Sequence, residues 1–425
     1  MLAGINHYPE LNATPQMKTA DPEFMRAINR FHVMDAIRRH GPIARVEICE
    51  RTELSPTTVS AITAALLDDG LIVPRQMGAV RDAGRGRPRV LLELNPDAAR
   101  VVGVKIAPTR IVHVVTNFQG DVLAGLTQPV RVDRQPAAVI ADLVEDGVRR
   151  CVADAGLTLD RVESLCVALP GVVEHATGVV RHSPILKESD VPLSKALFDR
   201  LGLSTLIESD ANAITIGEHW FRLCRDLDDF VVVTAEHSLG LGVMHGGEFF
   251  RGAKGISFNL GDLAMAANGK TVSRLADQAT EPAILTPVAG DAKFKEAIRL
   301  GRAIPLAAAL IATGDNALTA SARRAGEVLG LAIANLITLF APPRVVLVGS
   351  TLALGEPLLA ALHSALDRTL PAWLDDVSEI ALDAEADDTD WARGAAAAAL
   401  KQLYGAPWSS TGPAKPRHDS EEEDE

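Results

Sequence analysis

From residue 100 onward the chain runs through the same order of elements twice, and such a duplicated order leaves few architectures open. In the first pass, residues 100–106, 110–117 and 122–130 read as strands, with Gln119-Gly120-Asp121 as the turn between the last two. An apolar helix over 136–155 and an apolar strand over 162–169 follow. In the second pass, strands at 230–235 and 241–245, a Gly246-Gly247 turn and a strand at 248–251 precede Ala/Leu-rich helices and a buried strand at 344–348. Strands and helices alternating at this spacing predict a mixed α/β sheet in each half, with ligands in the cleft between the halves.

The first hundred residues follow a different pattern. Residues 1–22 show no periodicity. Between 26 and 39, Ala27, Ile28, Phe31, Met34 and Ile37 recur every three to four positions and define one helical face, which Gly41-Pro42 ends. Residues 45–51 form a short second helix, Thr52-Glu53-Leu54 a tight turn, and Ser55-Pro56 opens a third helix as N-cap and first-turn proline. On that third helix Val59, Ile62, Leu66 and Leu67 are expected to face inward, leaving Thr57, Thr58, Ser60, Ala61 and Thr63 outward. Two helices joined by about three residues, the second with a small polar outer face, make a helix-turn-helix.

Strands at 71–73 and 90–94 would form a wing on that unit. Between them, residues 81–89 carry four arginines spaced by glycine, alanine, aspartate and proline. An extended strip of this kind fits a narrow minor groove, because glycine adds no width and guanidinium is drawn to the negative potential there. A solvated arginine loop is the plainer alternative.

Charge agrees with such a division of labour. The chain has 425 residues and a net charge of −13, yet residues 1–100 hold 13 Lys+Arg against 12 Asp+Glu and the remainder 29 against 43. The acidity belongs to the later part, so a local basic face for nucleic acid is not opposed. The end of the chain, 409–425, finishes in an acidic run that cannot bury enough apolar surface to order itself. Four separated cysteines (Cys49, Cys151, Cys166, Cys224) give no disulfide framework and no zinc pair. With no leader pattern and no apolar run near the roughly 20 residues of a membrane span, the expected location is the cytoplasm.

Taken in order, several motifs resemble the ROK family, in its transcriptional regulator branch of NagC, Mlc and XylR type. They are residues 45–67 with Gly84-Arg85-Gly86-Arg87-Pro88, then 168–173 with 177–180, 190–193, 208–213, 251–255 and 343–349. The resemblance implies a winged helix-turn-helix followed by a two-lobed, actin-like (ribonuclease H-like) sugar-kinase fold that forms homodimers or homotetramers. The expected division is 1–22 disordered, 23–95 winged helix-turn-helix with its arginine-rich wing, 96–407 the two-lobed domain, and 408–425 a disordered acidic tail.

Kinases of this family hold ATP phosphates on two glycine-rich turns, whose chemistry needs bare backbone amides facing the phosphates. Here the first turn reads Lys105-Ile106-Ala107-Pro108-Thr109. Lysine stands where a metal-associated aspartate would be, and proline removes an amide donor. The second reads Glu236-His237-Ser238-Leu239-Gly240, which adds a carboxylate beside the phosphate position. Both changes oppose ATP binding, so no catalytic residue and no cofactor is assigned. Asp210 aligns with the family's general base; the alternative is that it caps the helix it precedes. Ile185 and Ser209 replace asparagines that bind sugar, and Asn259 and Asp262 occupy a Glu-x-x-His pair. A polar ligand pocket of Asp210, Asn259 and Asp262 is expected, with a degenerate empty pocket as the alternative. The family's structural zinc cannot form without its histidine and cysteines, and His219, His237 and His245 read as surface or core residues.

The expected function is therefore a regulator that binds double-stranded operator DNA, most simply as a repressor, and senses a sugar-like small molecule. Ser55, Thr57, Thr58 and Ser60 would meet the major groove, Arg45 and Arg51 the phosphates, and Arg85, Arg87 and Arg89 the flanking minor groove. A constitutive DNA-binding protein with a non-sensing body, and an active ATP-dependent sugar kinase, are the competing readings.

Overall fold

The computed structural model describes residues 22–75, 90–251, 255–268, 271–374 and 376–404. The expected arginine strip therefore lies outside the described residues, as do the two ends.

The head comprises α1 (Pro22–His40), β1 (Ile43–Ala44), α2 (Arg45–Thr52), α3 (Pro56–Asp68), β2 (Ile72–Arg75) and β3 (Leu91–Leu94). Val33, Ile37, Ile48, Val59, Leu66, Ile72 and Leu92 form its core, all essentially inaccessible. Of the periodic face read for α1, Met34 and Ile37 are buried and Ala27, Ile28 and Phe31 half-buried, with Val33 and Ala36 buried as well; on α3, Val59 and Leu66 are buried and Ile62 and Leu67 half-buried. Two details differ. The wing gains a third strand, in the order β1-β3-β2, because Ile43 and Ala44 pair with Leu92 and Leu91. Thr63, expected to point outward, is fully buried, since α2 covers that side of α3 and Arg45 Nε donates to Thr63 Oγ1 at 2.8 Å.

The first lobe contains β4 (Arg100–Ala107), β5 (Arg110–Asn117), β6 (Val122–Pro129), α4 (Ala137–Asp154) and β7 (Ser164–Leu169). It continues with the hairpin β8 (Val172–Glu174) and β9 (Val179–His182), then α5 (Leu193–Leu201), β10 (Ser204–Ser209) and α6 (Asp210–Phe221). The second lobe contains β11 (Phe230–Ala235), β12 (Leu239–His245), β13 (Glu248–Phe249), β14 (Phe258–Asn259) and the hairpin β15 (Ala264–Asn268) and β16 (Thr271–Arg274). Helices α7 (Ala276–Ala279), α8 (Glu281–Ile284), α9 (Ala292–Arg299), α10 (Ala303–Ala312) and α11 (Asn316–Phe340) come next, followed by β17 (Arg344–Val348), α12 (Glu356–Thr369), β18 (Glu379–Asp383) and α13 (Asp388–Leu403).

The duplication is complete at the level of topology. The sheet orders are β10-β7-β4-β5-β6 and β13-β12-β11-β17-β18, which are the same five positions run in opposite directions. In each lobe the first three strands are antiparallel, and the two that follow add in parallel beside the first. The two parallel strands at each edge are reached through α4 and α5, or α11 and α12, as parallel pairing requires.

Equivalent helices α6 and α13 lie side by side between the lobes. Their contact depends on small residues. A Cβ on Gly394 would sit 2.0 Å from the Ala213 carbonyl oxygen, and one on Gly103 of β4 would sit 2.0 Å from that of Ala392. Only backbones without side chains approach so closely, and the alanine run 395–399 fills the remaining seam. Among the described residues no single helix is long and apolar enough to cross a membrane; α10 and α11 pass that test only as a pair bent by 112°.

The head rests on the body through α1. Arg39 is hydrogen-bonded to Asp228 Oδ1 at 2.5 Å and lies 3.0 Å from His219 Nε2, and Arg225 Nη2 donates to the Arg39 carbonyl at 2.6 Å. Arg38 stacks 4.6 Å over the Trp220 ring, which itself stacks on Tyr404 at 5.1 Å. Helix α6 thus touches the head at its C-terminal end and the interlobe cleft at its N-terminal end.

Candidate nucleic-acid interface and interlobe cleft

The outer surface of the head is built by capping chemistry. Ser55 is the N-cap of α3, its Oγ accepting from the Thr58 amide at 3.1 Å and lying 2.8 Å from Thr58 Oγ1. The Ala44 amide donates to Glu47 Oε2 at 3.0 Å, which fixes the start of α2. Glu53, at φ 56°, turns the chain between the two helices. The result presents Thr57, Ser60 and Ala61 to solvent, with Thr58 half-buried behind them. Arg45 is half-buried and held by Thr63, so only its two terminal nitrogens remain unbonded among the described residues. Arg51 is exposed, with Nη1 3.2 Å from His40 Nε2. The wing strands pair with Ile72 opposite Leu94 and Arg75 opposite Leu91, and Arg75 is bound to Glu93 at 3.1 Å. Arg85, Arg87 and Arg89 belong to the segment joining these strands and lie outside the described residues.

In the cleft, the two altered turns face one another, as their places at the ends of β4 and β11 require. Lys105 Nζ is buried and donates to Glu236 Oε2 at 2.9 Å and to Asp388 Oδ1 at 2.7 Å. It also lies 3.8 Å from the centre of the Trp391 ring. Asp388 binds Arg110 through its other oxygen. Burial alone would depress the lysine's pKa, but the carboxylates of Glu236 and Asp388 outweigh it and raise it. Asp388 is held below the usual carboxylate range by Lys105 and Arg110, against the effect of its burial. The cations and anions at this point satisfy each other. A phosphate chain entering here would meet Glu236 and Asp388 and would have to displace them from Lys105.

These groups line a cavity of about 330 Å³ whose other walls include Pro108, Leu285, Ile298 and Ile304. Glu281 also faces it and accepts from the Ser350 hydroxyl; burial pushes its carboxyl upward. Nothing in the local sequence singles out Asp388, Arg110 or Glu281. Asp388 stands in an acidic run at the start of a helix, where carboxylates ordinarily serve as caps.

A second cavity, of about 180 Å³, brings together Asp210, Asn259 and Asp262 with His182, His237 and Thr280. Here one expectation is corrected: the cap of α6 is Ser209, whose Oγ accepts from the Asn212 amide at 3.2 Å. Asp210 is the first helical residue, and its Oδ1 accepts from the Ala211 amide at 2.8 Å. Burial pushes its carboxyl up to about 6, with Lys105 opposing and Glu236 reinforcing the shift. Behind it, Glu208 is buried, bound by Arg251 and by Asn212 Nδ2 at 2.9 Å and 2.7 Å from His175 Nδ1, and these neighbours, Arg251 foremost, outweigh its desolvation and hold it below the usual carboxylate range. Asn259 Nδ2 donates to Asp262 Oδ2 at 2.7 Å, and Asp262 pairs with Arg274 at 3.2 Å. Of the histidines, His219 is buried against α1, His245 is exposed beside Asp229 at 2.6 Å, and His237 lines both cavities. Among the described residues no three His, Cys, Asp or Glu side chains are grouped as a metal ion would need.

Known proteins share this organisation. A model described as ROK family matches residues 101–402, and one described as winged helix-turn-helix DNA-binding matches residues 26–73. The xylose repressor of Caldicellulosiruptor bescii is 24% identical over 363 residues, 81% of this chain and 88% of that protein. The DNA-binding transcriptional dual regulator NagC of Escherichia coli is 23% identical over 361 residues, 83% of this chain and 87% of that protein. Among solved structures, a ROK family transcriptional regulator described as a homologue of the E. coli MLC protein matches with a TM-score of 0.71 at 22% identity, covering 89% of this chain and 97% of that one.

Proposed function

The chain belongs to the ROK family, and on that premise we propose that it is a DNA-binding transcriptional repressor whose kinase-like body does not transfer phosphate. The observation that carries the reading is the Lys105–Glu236–Asp388–Arg110 network, which occupies with protein charges the point where the family's two phosphate turns meet. Phosphoryl transfer rests on positioning and charge neutralisation, and neither is available to a nucleotide there.

On DNA, Thr57, Thr58 and Ser60 would enter the major groove on α3, with Ser55 fixing the helix start. The free ends of Arg45 and Arg51 would bind phosphate, and Arg85, Arg87 and Arg89 would follow the minor groove. A homodimer or homotetramer in the cytoplasm would set two heads one helical turn apart, or a multiple of that. The pocket of Asp210, Asn259 and Asp262 would take a small polyhydroxylated molecule of sugar type. Such a ligand acts through unequal affinity for two arrangements of the lobes. A second reading, a body that senses nothing, is favoured by one observation: Asn259, Asp262 and Arg274 satisfy one another without a ligand.

Genome-wide mapping of bound DNA, followed by gel shifts on the recovered sites with a panel of pentoses and hexoses, tests the proposal. It expects discrete sites, release by one sugar and no ATP turnover. Failure to bind any duplex at modest ionic strength, or steady ATP hydrolysis with a sugar, would overturn it. Site binding that no sugar alters would favour the second reading.

A further inference from the structure

A third cavity, of about 320 Å³, lies at the junction of head and body. The head contributes Ile37 and Arg38 from the end of α1, Pro42 just beyond it, and Arg75, Glu93 and Leu94 from the wing strands. The body contributes Gln119 and Asp121 from the β5–β6 turn, Trp220 and Phe221 from α6, then Arg225, and Arg393 from α13.

Its charges do not balance. Four arginines face two carboxylates, and Glu93 is already taken by Arg75 at 3.1 Å. Arg225 and Arg393 form no ion pair among the described residues. Arg225 donates to the main-chain carbonyls of Arg39 and Arg38, at 2.6 and 3.4 Å. Arg393 Nε donates to the Gly120 carbonyl at 2.7 Å, and the guanidinium stacks 3.7 Å from the Phe221 ring centre. Carbonyl and ring contacts hold both guanidiniums in place, and neither has a carboxylate within salt-bridge distance among the described residues, Asp121 and Asp390 acting on Arg393 only from farther away. Arg38, whose side chain is 5% exposed, shares Asp35 with Arg39, and its Nη1 has no hydrogen-bond partner among the described residues.

Several fixed guanidinium forks around one small space fit phosphate or carboxylate groups, which they bind two nitrogens at a time. Ile37, Leu94 and Trp220 add apolar wall, which suits a carbon skeleton. The volume stands at the small end of ligand sites, so a compact molecule is required.

We propose that this cavity binds a small organic anion carrying two or more phosphate or carboxylate charges, and that the bound anion bridges the head to the body. The site is separate from the interlobe pocket, and the proposal does not rest on the regulator reading above.

The test uses the full chain with glycerol 2-phosphate and citrate as probes, sodium chloride at matched ionic strength as control, and melting temperature and calorimetry as readouts. A saturable rise in melting temperature above the chloride control is expected with at least one probe, and the responding probe identifies the charged group. Arg225→Met and Arg393→Met should each weaken binding tenfold or more. Exposed Arg75→Glu, which reverses charge at the rim without touching the core, should do the same, and remote Arg323→Met should leave binding unchanged. No saturable rise with either probe, or unchanged affinity in the rim and wall variants, overturns the proposal. Operator affinity of the wild-type chain is measured without anion, so absence of DNA binding, which would count against the regulator reading, is distinguished from absence of the anion site.

Discussion

Replacing Lys105 with methionine keeps the length of the side chain and removes the cation at the centre of the cleft. Two buried ion pairs disappear at once, at 2.9 Å to Glu236 and 2.7 Å to Asp388. Breaking a buried pair by removing one partner costs about 3–5 kcal/mol, because the other charge is left uncompensated. Two features place this case near the lower figure. Arg110 still holds Asp388, and the Glu236 side chain, 21% exposed, can turn toward water. A loss of about 3 kcal/mol corresponds to roughly 5 °C in melting temperature for a two-lobed body of about 300 residues.

The pH dependence distinguishes this cause from loss of packing. The lysine's pKa is raised on folding, so its contribution is fully present below its ordinary value of 10.5 and disappears only as pH rises through the higher folded value. At neutral pH the wild type therefore has the whole effect. In the variant, Asp210 loses the Lys105 charge that opposes its upward shift to about 6, so its carboxyl takes up a proton more readily as pH falls and should relieve part of the penalty. Urea and thermal melts of both proteins at pH 7.5 and 5.5 measure the difference. A deficit below about 1 kcal/mol at pH 7.5, or one that does not shrink at pH 5.5, would refute the buried network.

Other perturbations separate the remaining parts of the molecule. Asp210 has its folded carboxyl raised from 3.8 to about 6, so the folded chain holds the extra proton and loses stability as pH climbs between those values; Asp210→Asn should flatten that fall in a pH series of melts. Gly103→Ala would press a Cβ to 2.0 Å from the Ala392 oxygen and 2.5 Å from the Ala396 nitrogen, costing about 3 kcal/mol or more. Gly290→Ala, with open space around it, should melt like the wild type. Asp228, held well below the carboxylate range by His219 and Arg39, stabilises the head against the body above its ordinary value of 3.8 and stops doing so in acid. Asp228→Asn should therefore cost about 0.5–1 kcal/mol at pH 7, as expected for a half-exposed partner, and abolish that acid dependence. Arg85→Ala with Arg87→Ala should weaken operator binding and reduce the salt slope by about one for each phosphate that is no longer neutralised; an unchanged slope would place both outside the interface.

The strands and helices that were legible in the sequence are those whose pattern is local. Met34 and Ile37 on one helix and Val59 and Leu66 on another are buried because three-to-four spacing puts each pair on one helical face, whatever the rest of the chain does. Strands β10 and β18 were not legible. Both lie at sheet edges, and Ser204–Ser209 and Glu379–Asp383 mix polar and apolar residues without alternation. Thr63 shows the limit of reading a helix by its own period. Its side faces α2, and which helix covers a given stripe is settled by packing between elements.

Set against the family's phosphate turns, residue types alone spoke against a phosphate cradle, since a lysine, a proline and a glutamate stand where the resemblance expects bare amides. What fills that space came only from the tertiary structure. Lys105 meets a carboxylate 283 positions away in sequence, and Arg393 shares a cavity with the first helix of the head. Residue type and local period depend on neighbours a few positions apart, whereas the partner of a buried charge is decided by which distant elements the fold brings within hydrogen-bonding reach.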